Sequence, residues 1–214
     1  MRYWWVNQNQ TARQEWAGGY LWSPKRKAND ARNPFYEFMR EVAPGDLILA
    51  FADTHVRRIG IAQSYAYECP KPAEFGAAGP TWNKIGWKVD VRYLEPARQL
   101  RPADHMAELA PLLPAHYAPL RANGHGLQSV YLTTLPEPLM QAFARLIGPP
   151  LGDLMRERHV HETAADAGAG FWEWERYLEE DVRRNTTLTE TERAQLIMAR
   201  RGQGRFKQNV RLLE

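Results

Sequence analysis

The sequence has few of the features that mark a secreted or membrane protein. Cys69 is the only cysteine in 214 residues, which excludes an internal disulfide and is typical of a reducing compartment. The N-terminus lacks the apolar segment of a signal peptide, and no apolar run is long enough to cross a bilayer. These absences predict a soluble, cytoplasmic protein with no membrane partner.

The chain also lacks a recognisable catalytic or metal-binding arrangement. No Ser/His/Asp set stands in a supporting context. His159 and His161 are two positions apart, whereas metal ligands on a helix pair at i and i+4. The acids of residues 173–181 lie among aromatic side chains, as in an amphipathic packing helix. The sequence therefore predicts no catalytic residue, no metal site and no cofactor for this chain.

A strong charge of either sign is missing as well. The formal net charge of +3 only mildly favours an anionic partner. Aromatic residues, in contrast, are plentiful, with 8 Trp and 9 Tyr. They supply either the core of the fold or a surface on which bases stack.

The order of the predicted elements indicates an α+β fold. Tyr3–Val6 is dense in strand-forming residues and ends at Asn7. Asn33 followed by Pro34 predicts a helix start. The apolar run of residues 46–52 pairs with residues 56–64 as a hairpin, a further strand is predicted over residues 127–132, and a helix over residues 138–147 closes the domain. We therefore expect a small curved mixed sheet or partial β-barrel with helices packed outside it.

A glycine–proline cluster, Gly148-Pro149-Pro150, is the predicted domain boundary. It separates the α+β domain, residues 1–150, from residues 151–214, where every pattern is helical. This helical linker is too thin for a large core of its own. We expect it to pack on a second copy of the chain, as a homodimer contact, or on a segment beyond residue 214.

The stretch Gly18–Lys27 is the first candidate for function. Its glycines and Pro24 predict an irregular segment, which places Trp22 beside the basic triplet of Lys25, Arg26 and Lys27. An aromatic side chain there can stack on a nucleobase while the cations hold phosphates. The alternative is that Trp22 fills the core and the triplet is a solvated loop.

A long loop over residues 69–84 carries a second candidate, Trp82. Loops of this length without structure of their own are uncommon and often functional. With Trp22 it could sandwich a flat ring, while the amide of Asn7 reads the polar edge of that ring. Trp82 could equally be a core residue.

Four short motifs resemble the PUA superfamily, specifically its EVE and YTH branches. They are Tyr3-Trp4-Trp5-Val6-Asn7, Gly19-Tyr20-Leu21-Trp22-Ser23-Pro24, Gly45-Asp46-Leu47-Ile48 and Ile59-Gly60-Ile61-Ala62. The resemblance covers roughly residues 1–150. It implies a PUA-like fold and an aromatic cage for a modified base.

In YTH domains the turn that matches Trp22 supplies one wall of the cage, and a tryptophan from a later loop, matched here by Trp82, supplies another. An Asn near the end of the first strand contacts the base edge, and Asn7 matches it. The resemblance thus implies a pocket and a set of phosphate contacts. The pocket residues are Asn7, Tyr20, Trp22, Ser23 and Trp82, and the backbone contacts are Lys25, Arg26, Lys27, Arg57 and Arg58.

The C-terminal segment resembles a second family. Glu192-Arg193-Ala194-Gln195-Leu196 and Ala199–Lys207 are similar to the lead-in of an HNH nuclease module in bacterial modification-dependent restriction endonucleases. That family recognises 5-methylcytosine or 5-hydroxymethylcytosine by flipping the base into an EVE pocket. The resemblance implies a reader of double-stranded DNA whose nuclease module, with its divalent metal, is expected to begin at about Glu214, where this sequence stops.

Two other functions are open at this point. PUA-like domains commonly bind RNA, so single-stranded RNA is an alternative ligand. The helical linker would instead make the chain an assembly module if it dimerises without nucleic-acid affinity.

Overall fold

A seven-stranded sheet forms the centre of the computed structural model, which describes residues 2–127 and 130–157. Its strands are β1 (Tyr3–Asn7), β2 (Tyr20–Pro24), β3 (Leu47–Ala52), β4 (His55–Ala62), β5 (Tyr67–Pro70), β6 (Ile85–Leu94) and β7 (Leu132–Leu135). The α-helices are α1 (Ala12–Gly18), α2 (Pro34–Glu37), α3 (Met106–Leu109) and α4 (Glu137–Ile147). Short 3-10 helices cover Phe38–Glu41, Ala73–Phe75, Pro102–His105 and Ala110–Leu112.

The sheet is mixed, and its order places β2 and β7 at opposite ends. The strands run in the order β2-β6-β4-β3-β1-β7. Strand β5 also pairs with β6, outside this order. Among the described strands, β1 and β3 alone pair in parallel, and the remaining pairs are antiparallel. The two ends come back together, because the Tyr131 hydroxyl, next to β7, accepts a hydrogen bond from the Trp22 backbone N–H on β2 at 3.0 Å. The sheet is therefore curled toward a barrel.

The core lies on both faces of this sheet. Trp5 on β1 packs against Phe51 of β3 and Phe143 of α4, with ring centroids 5.0 and 5.4 Å apart. The neighbouring Trp4 points to the opposite face, into a second buried cluster, because successive side chains of a strand alternate. The expected α+β class, a curved mixed sheet with helices packed outside, is confirmed.

The interpretation of the Trp22 segment as irregular is wrong. Residues Tyr20–Pro24 form β2 and pair in register with residues of β6, from Tyr20 opposite Asp90 to Pro24 opposite Gly86. Pro24 is tolerated because it is the last residue of a strand that pairs on one side only. Tertiary pairing has outweighed the local glycine and proline signals.

Two other predictions need correction, and one helix was missed. The strand predicted over residues 127–132 is β7, which begins at Leu132. The loop predicted over residues 69–84 includes the end of β5 and the 3-10 helix Ala73–Phe75. Helix α1 was not predicted, because it has only seven residues and Thr11, its N-cap residue, makes no side-chain cap.

The described chain continues past the predicted boundary at Gly148-Pro149-Pro150. Residues 151–157 are helical, and Leu151 and Met155 are buried in the same core cluster as Trp5. The helices predicted within residues 158–214 lie outside the described residues, as do His159, His161 and the segment Ala199–Lys207. None of the helices within the described ranges combines the length and apolarity needed to span a bilayer.

Candidate functional site

Four aromatic side chains from two parts of the chain meet on one face of β2 and form what we call the aromatic cluster: Tyr20, Trp22, Phe75 and Trp82. The rings of Trp22 and Trp82 are 6.1 Å apart between centroids, with 33° between their planes. Phe75 packs edge-on to both, at 5.7 Å from Trp22 and 6.3 Å from Trp82. The structure thus brings the two predicted cage tryptophans into direct contact.

The two tryptophans differ in exposure. Trp22 is only 1% exposed, so that its ring is covered on the β2 side of the cluster. Trp82 is half-buried and lies at the surface of the cluster. A base can therefore reach Trp22 only if part of the loop that carries Trp82 moves aside.

The thickness of a base sets how far Trp82 would have to move. A flat base that contacts a ring on each side needs about 7 Å between the rings, since carbon atoms pack at about 3.5 Å. The observed 6.1 Å joins the centroids of two tilted rings that are already in contact, so the rings would have to separate by about the thickness of one base, roughly 3.5 Å, before a base could enter. The cluster is closed in this structure, and Trp82 would have to move for a base to contact the Trp22 ring.

Two glycines make the close packing of the tryptophans possible. A Cβ at Gly79 would lie 1.9 Å from the indole of Trp82, and Gly79 has a φ of +54° that favours glycine. A Cβ at Gly86 would lie 2.4 Å from the indole of Trp22 and 2.2 Å from the Ser23 carbonyl oxygen. Any larger side chain at either position would displace a ring of the cluster.

Hydrogen bonds hold the loop that carries Trp82. The Trp82 backbone N–H donates to the Gly79 carbonyl at 3.0 Å. The Lys71 ammonium group donates to the carbonyls of Ala78 and Gly79, and lies 5.8 Å from the centroid of the Trp82 ring. Lys71 thus combines a structural role in this loop with a positive charge beside the cluster.

A polar rim borders the cluster at Tyr20. The Tyr20 hydroxyl donates to the Glu74 carboxylate at 2.7 Å, and the Lys88 ammonium lies 4.4 Å from the Tyr20 ring centroid. Burial is the largest cause that raises the pKa of Tyr20 far above its usual value, and the Glu74 carboxylate adds to it. Tyr20 therefore stays a neutral hydrogen-bonding group at physiological pH.

The predicted basic triplet follows β2 directly and is tied to the Trp82 loop. The Arg26 backbone N–H donates to the side chain of Asn83 at 3.0 Å, next to Trp82 in sequence. Lys25 forms an ion pair with Glu68 and lies 4.5 Å from the Trp87 ring centroid. The Lys27 side chain is exposed. The triplet therefore lies beside the cluster, with part of its charge offset by acids.

The predicted contacts Arg57 and Arg58 are on β4, away from the triplet. Arg57 donates to the Ala52 carbonyl and the Gln99 side chain, at 3.1 Å each. Arg58 forms a 3.0 Å ion pair with Glu95. Among the described contacts, none joins either arginine to the aromatic cluster.

Asn7 and Ser23, the two predicted polar pocket residues, lie apart from the cluster. The Asn7 side chain accepts from the Trp5 indole N–H at 3.1 Å and donates to the Val130 carbonyl at 2.8 Å. Ser23 follows Trp22 on the strand, so its side chain points to the other face of β2. Its buried Oγ has no hydrogen-bond partner among the described residues.

A buried acid that the sequence reasoning missed, Glu15 on α1, contacts the backbone of Trp22. One carboxylate oxygen accepts from the side chain of Gln8 at 2.7 Å, the Tyr131 hydroxyl at 2.7 Å and the Trp22 N–H at 3.3 Å. The other oxygen accepts from the Thr11 hydroxyl. The available sequence signal was the Thr11–Glu15 pair, whose i,i+4 spacing places both side chains on one helix face.

Burial dominates the electrostatics of this acid. Glu15 is fully buried, and desolvation raises its pKa to about 7, although the four hydrogen bonds that it accepts act in the opposite direction. Among the described residues, no lysine, arginine or histidine forms an ion pair with it. The group therefore titrates within the physiological pH range.

No known family model and no curated protein matches this chain. Several solved structures are similar to it. A protein from Pseudomonas putida is 16% identical with a TM-score of 0.47, over 68% of this chain and 99% of that chain. Rpa0253 from Rhodopseudomonas palustris is 14% identical with a TM-score of 0.47, over 69% and 94%.

YTH domains are also among the similar solved structures. The YTH domain of Zygosaccharomyces rouxii MRB1, solved in complex with N6-methyladenosine RNA, is 12% identical with a TM-score of 0.44. The match covers 68% of this chain and 86% of that chain.

Proposed function

We propose that this chain reads modified cytosine, 5-methylcytosine or 5-hydroxymethylcytosine, in double-stranded DNA. The base is flipped out of the duplex and enters between Trp22 and Trp82. The observation that carries this proposal is the contact of these two rings at 6.1 Å, with Trp82 at the surface and basic side chains nearby. The reading step uses no cofactor.

The energetics of base flipping fit such a cage. Extraction of a base from a duplex costs a few kcal/mol. Stacking of a base on an aromatic side chain contributes about 1–3 kcal/mol, so that two walls can offset the cost. Opening of the cage breaks the contacts of Trp82 with Trp22 and Phe75, whereas Phe75 still packs on Trp22 from its edge.

The C5 methyl group is recognised by burial of apolar surface. One buried CH₂-sized group contributes about 0.8 kcal/mol, which corresponds to about a fourfold preference in affinity. A closed aromatic cage excludes water from such a group more fully than an open groove. We therefore expect a preference of at least about fourfold for 5-methylcytosine over cytosine in the same duplex.

The cations beside the cluster hold the DNA backbone without reading its sequence. Lys27 is exposed, and Arg26 is connected to the Trp82 loop through Asn83. Lys88 adds a charge above Tyr20 that the sequence reasoning did not assign to the site. These contacts give salt-dependent affinity through release of counterions.

The larger protein in which this chain would act is inferred from a sequence resemblance. The segment Ala199–Lys207 resembles the lead-in to an HNH module, so we assign the chain as the specificity part of a cytoplasmic modification-dependent endonuclease. The segment of residues 151–214, which the sequence predicts to be helical, would then connect reader and nuclease, and is our candidate for a homodimer contact.

A competition gel shift at one fixed, moderate salt concentration tests the proposal. A labelled 5-methylcytosine duplex is competed with identical duplexes that carry cytosine, 5-hydroxymethylcytosine or N6-methyladenine, and with single-stranded RNA. We expect a modified-cytosine duplex to compete best. Equal competition by all duplexes would reduce the chain to a phosphate-binding surface, and strongest competition by RNA would assign it to RNA.

A further inference from the structure

We propose that Glu15 is a positioning residue for the base pocket: together with Tyr131 it fixes the backbone of Trp22 and so couples modified-base binding to pH. This proposal rests on the proposed function. In the described contacts, the Glu15 side chain touches none of the rings of the aromatic cluster. It acts through the Trp22 backbone, because its carboxylate accepts a hydrogen bond from the Trp22 N–H at 3.3 Å.

The position of Trp22 explains why a positioning group is needed. β2 is the end strand of the sheet, and it pairs with β6 along one edge only. The Trp22 N–H donates instead to the Tyr131 hydroxyl at 3.0 Å and to Glu15. An unpaired N–H buried at this place would cost about 1–3 kcal/mol, so these two side chains replace the missing strand.

A network of side chains holds the carboxylate in place. The Gln8 side chain donates both to Glu15 at 2.7 Å and to the Tyr93 hydroxyl at 3.3 Å. The Tyr93 hydroxyl in turn donates to the Tyr20 carbonyl at 3.1 Å, two residues from Trp22. The same network therefore fixes both ends of the segment that carries the two β2 rings of the cluster.

Protonation of Glu15 weakens the hydrogen bond that its carboxylate accepts from the Trp22 N–H. The proton can reside on the oxygen that faces Thr11, because a hydroxyl group can rotate to accept a hydrogen bond. The other oxygen then loses its charge, and its bonds to Trp22 and Tyr131 weaken, since charge-assisted hydrogen bonds are roughly twice as strong as neutral ones. The ionised form therefore fixes the pocket wall more firmly.

The surroundings of Glu15 contain several other groups that could titrate or carry charge. The phenols of Tyr20, Tyr93 and Tyr131 stay neutral, because burial raises the pKa of each well above its usual value. Arg58 lies 5.0 Å from the ring centroid of Trp16, whose indole N–H donates to Gln8. The groups that face Glu15 from the elements packed around it are Gln8, Thr11, Tyr20, the Trp22 N–H, Tyr93 and Tyr131. Trp16 and Arg58 lie further away, behind Gln8.

A rigid pocket binds its ligand more tightly because it loses less conformational entropy on binding. We therefore expect the affinity for the 5-methylcytosine duplex to rise by about threefold between pH 6 and pH 8, as Glu15 (pKa about 7) ionises. Histidines titrate in the same range. The informative quantity is accordingly the difference between the wild type and Glu15→Gln, which keeps the shape of a protonated Glu15.

The first measurement follows the Trp22 amide signal by ¹H–¹⁵N NMR from pH 5.5 to 8.5 and needs no DNA. We expect the amide to titrate with a midpoint near 7 in the wild type and to stay constant in Glu15→Gln. Glu41→Gln, an equal change at an exposed acid, should behave as the wild type. A Trp22 amide that does not titrate in the wild type would overturn the coupling.

The second measurement is duplex affinity at pH 6 and pH 8. We expect the pH effect to disappear in Glu15→Gln, and to diminish in Tyr131→Phe, which leaves Trp22 with the 3.3 Å bond alone. The same pH effect in wild type and Glu15→Gln would overturn the positioning role. A wild type that prefers no modified duplex at any pH would contradict the proposed function, and the amide titration separates that failure from a failure of the Glu15 coupling.

Discussion

The indole rings of Trp22 and Trp82 lie against each other at 6.1 Å, one on a strand of the sheet and the other on the loop before β6. Only the second is at the surface. For the proposed reader, we infer from this asymmetry that Trp22 is a fixed wall that belongs to the fold and that Trp82 is the wall that moves.

Substitution of Trp22 by alanine should reduce stability strongly. The side chain is 1% exposed and packs on Phe75 and Trp82, so its removal leaves a large cavity. We expect the free energy of unfolding to fall by about 3–5 kcal/mol in urea denaturation. Trp82→Ala should cost clearly less, because that ring is half-buried, and equal losses would contradict the assignment of fixed and moving walls.

Gly79→Ala should displace Trp82 without removing it. The new methyl group would lie 1.9 Å from the indole, and the φ of +54° disfavours alanine. We expect preference for the modified duplex to fall toward that of Trp82→Ala, as measured by competition binding. Gly76→Ala is the matched control, since Gly76 also has a positive φ of +53° but no atom within 4 Å of a new Cβ. Preference retained in Gly79→Ala would show that the position of Trp82 is irrelevant.

The stability of the protein should depend on pH through Glu15. Its pKa is raised from 4.5 to about 7 in the fold, so the folded state keeps a proton that the unfolded state releases. The stabilisation is therefore complete below pH 4.5 and is lost as pH rises to about 7, by roughly 3 kcal/mol at 1.36 kcal/mol per pH unit.

Urea denaturation between pH 5 and pH 8.5 measures this effect. We expect the fall in unfolding free energy of the wild type to be largely absent in Glu15→Gln, which carries no titrating proton. Glu41→Gln should keep the slope of the wild type. Parallel curves for the wild type and Glu15→Gln would show that Glu15 does not titrate in this range.

Lys27→Ala should weaken binding to every duplex alike. An exposed lysine that contacts a phosphate adds affinity by releasing a counterion but does not distinguish bases. We expect the slope of log K against log salt concentration to become less negative by about 0.9, with the methyl preference unchanged. Arg145→Ala, which removes a cation paired with Glu108 on another surface, should leave the slope unchanged. An altered methyl preference in Lys27→Ala would contradict a pure phosphate contact.

Local patterns predicted the elements whose signals are local. The Asn33-Pro34 helix start is one example, since the Asn33 side chain does accept a hydrogen bond from the Phe35 N–H. The buried hairpin of β3 and β4 is another, because a continuous apolar run between turn residues is distinctive. The strand character of Tyr20–Pro24 could not be predicted, as it depends on pairing with β6 far along the chain.

The contact between Trp22 and Trp82 was predicted for the same reason. Aromatic residues beside turn signals pointed to Trp22 and Trp82, and the structure brings them into contact. The alternation of side chains along a strand decides which other predicted residues join the cluster. Ser23 follows Trp22 immediately, so its side chain points to the opposite face of β2. Glu15 was missed because an acid on a short helix is usually solvated, and its burial follows from the packing of β2 and Tyr131 around it.

The equilibrium affinity of wild type and Trp82→Ala for two duplexes that differ by a single C5 methyl group tests the central claim most directly. Tyr117→Ala is the matched control, since Tyr117 is a 52% exposed aromatic that packs on Phe35 and Phe38 and not on the cluster. We predict at least about a fourfold preference for the methylated duplex in the wild type and Tyr117→Ala, and none in Trp82→Ala, with affinity for the unmethylated duplex retained. An undiminished preference in Trp82→Ala would contradict the aromatic cage.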